Sequence, residues 1–207
     1  MHTADLLETV RTDHDTALSR LGSSKSVFAI TAGDMDPDTV LAAMATEARM
    51  AANRFETWAA ETAGDLGAAF GATAEILAAQ ADVLAGRLED FEPGSESAQL
   101  SFLGDLETDL DRAGGLLGWV LVADRRNTQV TGYFTGQADP QTASLFRGFG
   151  EDFDEILETA GSALADRCDD SDDWDVAAEA AAGAVEAAYD DYVETLESMG
   201  VNPKPVC

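Results

Sequence analysis

Asp36-Pro37-Asp38-Thr39 and Asp139-Pro140-Gln141-Thr142 are the two stretches whose reading decides the fold. An aspartate at an N-cap accepts a hydrogen bond from one of the orphan amides of the first turn. A proline at the first helical position costs nothing, because its missing N–H would have had no partner there. The first stretch therefore opens a helix from Pro37 to about Thr62. A short break at Ala63-Gly64 leads into another, about Asp65 to Phe91, which Glu92-Pro93-Gly94-Ser95 stops. So short a break makes these two an antiparallel hairpin. The second stretch follows a helix of its own, about Leu106 to Thr135, closed by Gly136. The chain reads as hairpin, long crossover, hairpin, with a short helix around Gln99 to Leu103 inside the crossover.

Outward from this core, Leu6, Val10, His14, Ala17 and Leu21 recur at steps of four and three, which predicts an amphipathic helix over about Ala4 to Leu21. Gly22-Ser23-Ser24 ends it, and a connection runs through Thr31-Ala32-Gly33. At the other end Trp174, Ala178, Ala181, Val185, Ala188, Tyr192 and Met199 form a narrow stripe, predicting a helix over about Asp173 to Met199 before a frayed Asn202-Pro203-Lys204-Pro205 tail. No alternating run is strong enough to read as a strand. The expectation is one all-α domain over residues 1–207: a bundle core at about 37–168 with docking helices at about 4–21 and 173–199.

Forty acidic residues against twelve basic ones give a formal charge of -28, and only Lys25 and Lys204 are lysines. At physiological ionic strength such a surface repels itself and opposes compaction. In molar salt the Debye length falls to about 3 Å and the penalty nearly vanishes. The composition thus points to a high-salt, archaeal cytosol and a cytoplasmic protein. A hydrophobic content of 45% with regular periodicity argues against a disordered acidic chain. Nucleic acid is disfavoured as a direct ligand, since the arginines form no patch beyond Arg125-Arg126. No signal peptide is apparent, and the longest apolar run, Ala113 to Ala123, is too short to span a bilayer, so no membrane association is expected. Cys168 and Cys207 lack disulfide or metal spacing and read as two reduced thiols.

Polar residues interrupt three apolar stripes. Val40, Met44, Glu47, Ala51 and Trp58 place Glu47 inward, beside Phe55. Leu66, Phe70, Thr73, Leu77, Gln80, Leu84, Arg87 and Phe91 place Gln80 and Arg87 inward. Leu110, Ala113, Leu117, Val120, Asp124, Thr128 and Thr131 do the same for Asp124. A buried carboxylate costs several kcal/mol unless it is paired or metal-bound. Pairing would join Glu47 to Arg87 or Arg54, and Asp124 to Arg125, Arg126 or water, making a buried polar layer that fixes helix register. Elsewhere, Asp169-Asp170-Ser171-Asp172-Asp173 lacks the spacing of a calcium loop and reads as a solvated linker capping the last helix. No strand precedes Gly114-Gly115 and no lysine follows, which rules out a phosphate loop.

On the hairpin–crossover–hairpin layout, and on the run Arg112-Ala113-Gly114-Gly115-Leu116-Leu117-Gly118, the chain resembles the ferritin-like, rubrerythrin-related proteins of extreme halophiles over about Pro37 to Cys168. The resemblance implies a four-helix bundle with a long crossover, and metal chemistry built on a Glu-x-x-His pair in two helices. Both histidines here, His2 and His14, lie ahead of the bundle. Glu47 and Asp124 occupy the positions of family carboxylates, but the second motif reads Gln80-Ala81-Asp82-Val83-Leu84 and the last reads Glu151-x-x-Asp154. Phe149, Phe153, Ile156 and Ala160 take the inward face of that last helix. Two functions follow as expectations. The first is a non-catalytic bundle acting through protein–protein contacts, as a homodimer or with another protein, and needing no cofactor. The second is a carboxylate-only iron or manganese redox site of Glu47, Asp124, Glu151 and Asp154. Gly114-x-x-x-Gly118 and Gly132-x-x-x-Gly136 would serve tight helix packing or a dimer interface.

Overall fold

A computed structural model describes residues 2–204. Nine helices and no strand occur among the described residues: α1 (Thr3–Asp13), α2 (Asp15–Leu21), α3 (Ser24–Ile30), α4 (Pro37–Glu61), α5 (Gly64–Ala85), α6 (Ala98–Gly104), α7 (Asp109–Gly136), α8 (Pro140–Arg167) and α9 (Ser171–Ser198). Both Asp-Pro starts form as read. Asp36 caps the amide of Asp38, and Asp139 accepts from the amides of Gln141 and Thr142. The acidic linker also caps, with Asp170 accepting from Asp172 and Asp173.

Paired residues give the helix directions. Along α4 and α7, Met35 meets Tyr133, Glu47 meets Trp119 and Arg126, and Glu61 meets Arg112, so these helices are antiparallel. Arg87 meets Thr142 and Gln80 meets Asp152, which makes α5 and α8 antiparallel as well. With the α4–α5 and α7–α8 hairpins, the four long helices run up, down, down, up. The crossover through α6 returns along the bundle between α5 and α7.

The helix α7 is the centre of the molecule. Every residue from Ala113 to Ala123 is buried, because α8 covers one side of α7, α9 another, and α2 and α3 pack nearby. A helix covered on all sides is apolar all round rather than striped. Thus the longest apolar run of the sequence is a core segment. The helix α5 is also apolar and, at 22 residues, long enough to cross a membrane by length and composition alone; its inner face packs on α4 and α8.

Several boundaries differ from the sequence reading. The expected first helix is broken at His14, whose backbone leaves helical geometry (φ -108°, ψ 23°), so α1 lies against α8 and α9 while α2 reaches α7. His14 consequently does not sit on a continuous apolar stripe; its Nδ1 lies 3.8 Å from Glu186 of α9. Two turns of helix, α3, occupy what reads as a connection, burying Ser26, Val27 and Ala29. The helix α5 stops at Ala85, ahead of Gly86, a poor helix former, so Arg87 and Phe91 do not continue its stripe. Pro205 and Cys207 lie outside the described residues.

The last helix is more than a surface attachment. A Cβ on Gly114 would run into the backbone of Ala177, and one on Gly118 into that of Ala181. The helices α7 and α9 therefore run parallel in near backbone contact through a small-residue seam, which is filled within the chain and is not free for a second copy. Gly132 and Gly136 face open space.

Candidate functional site

Halfway along the bundle, α7 carries Arg126 one face away from solvent. Its side chain is only 7% exposed, because Met44, Glu47 and Ala29 from α4 and α3 and Asp191 from α9 close around it. Arg126 Nη1 lies 4.0 Å from Glu47 Oε1, and Nε has no hydrogen-bond partner. The same Glu47 oxygen accepts from Trp119 Nε1 at 3.1 Å and from Ser97 Oγ at 3.4 Å. Glu47 is thus tied to α7 twice and to the crossover once. Asp191 of α9 lines the same cleft as Arg126 and Glu47. Burial pushes its pKa above the ordinary value of 3.8, Arg126 opposes that rise, and Glu194 adds to it.

Three hollows meet at Arg126, one of them a recess of about 30 Å³ running inward past Trp119, Asn127 and Phe146. A cleft of about 330 Å³ opens outward between α3, α4 and the crossover, lined by Ile30, Met44, Ser95 and Ser97 among others. A second recess of about 30 Å³ lies behind, where Ser26 Oγ is buried without a partner beside Asp191 and Tyr192. Deeper in the bundle, Asn127 Nδ2 donates to the carbonyl of Phe146 at 2.8 Å, while its Oδ1 is unpaired. A buried guanidinium with an unmet N–H is costly, and a ligand or solvent that supplies an acceptor offsets that cost.

Each residue singled out from sequence has a definite place. Glu47 is inward, 19% exposed, but its partner is Arg126 rather than Arg87 or Arg54. Arg87 is exposed and donates to Thr142 Oγ1 at 3.1 Å, a consequence of the early end of α5. Arg54 pairs with Glu96 at 2.9 Å. Gln80 is buried as read and donates to Asp152 Oδ2 at 2.8 Å. Asp124 faces away from Glu47, into a different hollow of about 130 Å³ with Arg11, Arg125, Phe153 and Asp154. Burial raises its pKa; Arg125 and Arg11 counter this, and Asp154 reinforces it. Asp154 and Glu151 are exposed. Asp124 and Asp154 are thus neighbours, whereas Glu47 and Glu151 belong elsewhere. Among the described residues no three His, Cys, Asp or Glu side chains group as metal ligands.

Asp152 and Asp191 escape a reading by stripes, since each is half-buried at the edge of its helix. Trp119 and Arg126 carry a signal that could have found them. They stand seven residues apart, the spacing that puts both on one helix face, and that face meets α4.

A second concave surface lies between the crossover and α9. It is a groove of about 670 Å³ with Phe102, Leu106, Val176 and Gly183 in its lining. Asp105, Glu107, Asp111, Glu179 and Glu186 line it too, and no lysine or arginine does. Val176 and Val83 are the large hydrophobic residues most exposed among the described residues. No protein-family model, curated protein or solved structure matches the chain.

Proposed function

We propose that the protein is a non-catalytic, ferritin-like helical bundle of a high-salt cytosol that acts by docking a basic, amphipathic segment of another protein. The helix order up, down, down, up with one long crossover supports the ferritin-like reading, since that connectivity distinguishes ferritin-like bundles from those with short loops throughout. The guanidinium of Arg126 supports the non-catalytic reading. It places a fixed positive charge beside Glu47, where a bundle metal would need that carboxylate for itself.

The observation that carries the docking reading is the groove between α6 and α9. A lining that combines apolar side chains with five carboxylates and no lysine or arginine complements a helix with one apolar and one basic face. A second copy of the chain would offer another acidic surface instead, with a net charge of -28. Salt screening in a molar-salt cytosol removes most long-range steering, so the apolar residues of the groove supply the affinity and its carboxylates the selectivity.

An NMR titration in molar KCl with a synthetic leucine–lysine amphipathic helix tests this. Shift changes should concentrate on Phe102, Leu106, Val176 and Gly183 and disappear in Val176→Asp. Changes scattered over the acidic surface and indifferent to Val176→Asp, or no changes at all, would overturn it.

A further inference from the structure

We infer that the cleft above Arg126 is a binding site for a free α-amino acid with an apolar side chain. The geometry presents three kinds of group to one small volume. Arg126 supplies a nearly buried guanidinium whose Nη1 approaches Glu47 only at 4.0 Å and whose Nη groups make no hydrogen bond among the described residues; its buried Nε is out of reach of the cleft. A carboxylate is the natural bidentate partner of such a fork.

Glu47 and Asp191 line the cleft together with that guanidinium. With Arg126 they give the cleft a formal charge of about -1, because Glu96 is already held by Arg54. A simple anion would meet both carboxylates as well as the arginine, and a simple cation would meet the arginine. A zwitterion satisfies both signs: its carboxylate meets Arg126 while its ammonium lies against Asp191, since Glu47 Oε1 already accepts from Trp119 and Ser97.

Ala29, Ile30, Ala43 and Met44 add an apolar part to the lining, beside Thr46, whose hydroxyl already donates to the carbonyl of Ala42. The volume of about 330 Å³ is at the lower end of the range for small-molecule pockets, roughly 300–1,000 Å³. That is room for a side chain of leucine size and little more. The cleft lies on the α3–α4 side of the molecule, apart from the groove at α9, so its occupancy is independent of the docking proposed above.

The test uses the full chain in molar KCl and three probes measured by calorimetry and thermal shift: L-leucine, isocaproate, which lacks the ammonium, and isoamylamine, which lacks the carboxylate. L-leucine should bind saturably and at least about tenfold more tightly than either half-molecule. Asp191→Asn should weaken leucine by about tenfold while leaving isocaproate nearly unchanged. Arg126→Met should abolish both, and if that variant fails to fold, the Asp191→Asn comparison decides. No saturable binding of leucine, equal affinity for isocaproate, or indifference to Asp191→Asn would each overturn the assignment.

Discussion

Arg126 and Glu47 face each other across the junction of α7 and α4, Nη1 to Oε1 at 4.0 Å, with Trp119 Nε1 donating to the same oxygen at 3.1 Å. The arginine is the more buried partner, so removing the carboxylate leaves a desolvated charge. Glu47→Leu and Arg126→Met alone should each destabilise, the first by about 2–4 kcal/mol, whereas the two combined should cost about 1 kcal/mol or less. Urea melts of the two single variants and the double measure the coupling directly. Arg87→Met, on an exposed side chain bonded to Thr142, should show no coupling to Glu47.

The seam between α7 and α9 leaves no room for a methyl group. Gly114→Ala and Gly118→Ala drive a Cβ into the backbone of Ala177 and Ala181, and each should cost about 3 kcal/mol, because two backbones must separate. Gly132→Ala, on the same helix but with nothing nearby, should instead stabilise by about 0.5–1 kcal/mol through helix propensity. Equal effects at Gly118 and Gly132 in thermal melts would mean that α9 does not lie on α7.

The long helices were legible because their start signals are local. Asp36-Pro37 and Asp139-Pro140 hold caps whose chemistry is complete within one turn. The second hairpin's neighbours were not legible in the same way. A stripe reading gives α7 one inward face, that of Asp124, but α9 and α8 cover it on separate sides, so Asp124 lines one hollow while Trp119 and Arg126, off that stripe, meet Glu47 on another face. Arg87 was misplaced for a local reason, the end of α5 at Ala85, which a single glycine signals only weakly. Of the candidate site, the stripes place Glu47 and Gln80 inward, as they are; the partner of Gln80, Asp152, lies half-buried at the edge of α8, where periodicity carries little information.

Asp124 gives a pH signature. Its carboxyl is raised above the ordinary 3.8, mainly by burial, so the folded protein holds that proton more tightly than the unfolded chain. Stability from this group is therefore greatest below the unfolded value and falls as pH rises through the folded one. Asp124→Asn should raise the melting temperature at neutral pH, and the gain should vanish in acid below the unfolded value. A gain that persists or grows in acid would contradict the burial of this carboxyl.

Cys168 should be a sluggish nucleophile. Burial and the carboxylates of Asp173, Asp169 and Asp170 push its thiol from 9.0 up to about 11. The thiolate is the reactive form, so at mildly alkaline pH its population is about a hundredfold below that of an unperturbed thiol. In a Cys207→Ser background, iodoacetamide should label Cys168 about a hundredfold more slowly than a model thiol. Labelling at the model rate would mean that the acidic linker does not sit over it.

Metal content tests the non-catalytic reading most directly. Protein purified in molar KCl without chelators, analysed by mass spectrometry of the elements, should contain iron and manganese well below one equivalent. Its melting temperature should not move when either ion is added, because Arg126 already occupies the charge environment of Glu47. A full equivalent of tightly held iron or manganese that disappears in Glu47→Ala would contradict the account.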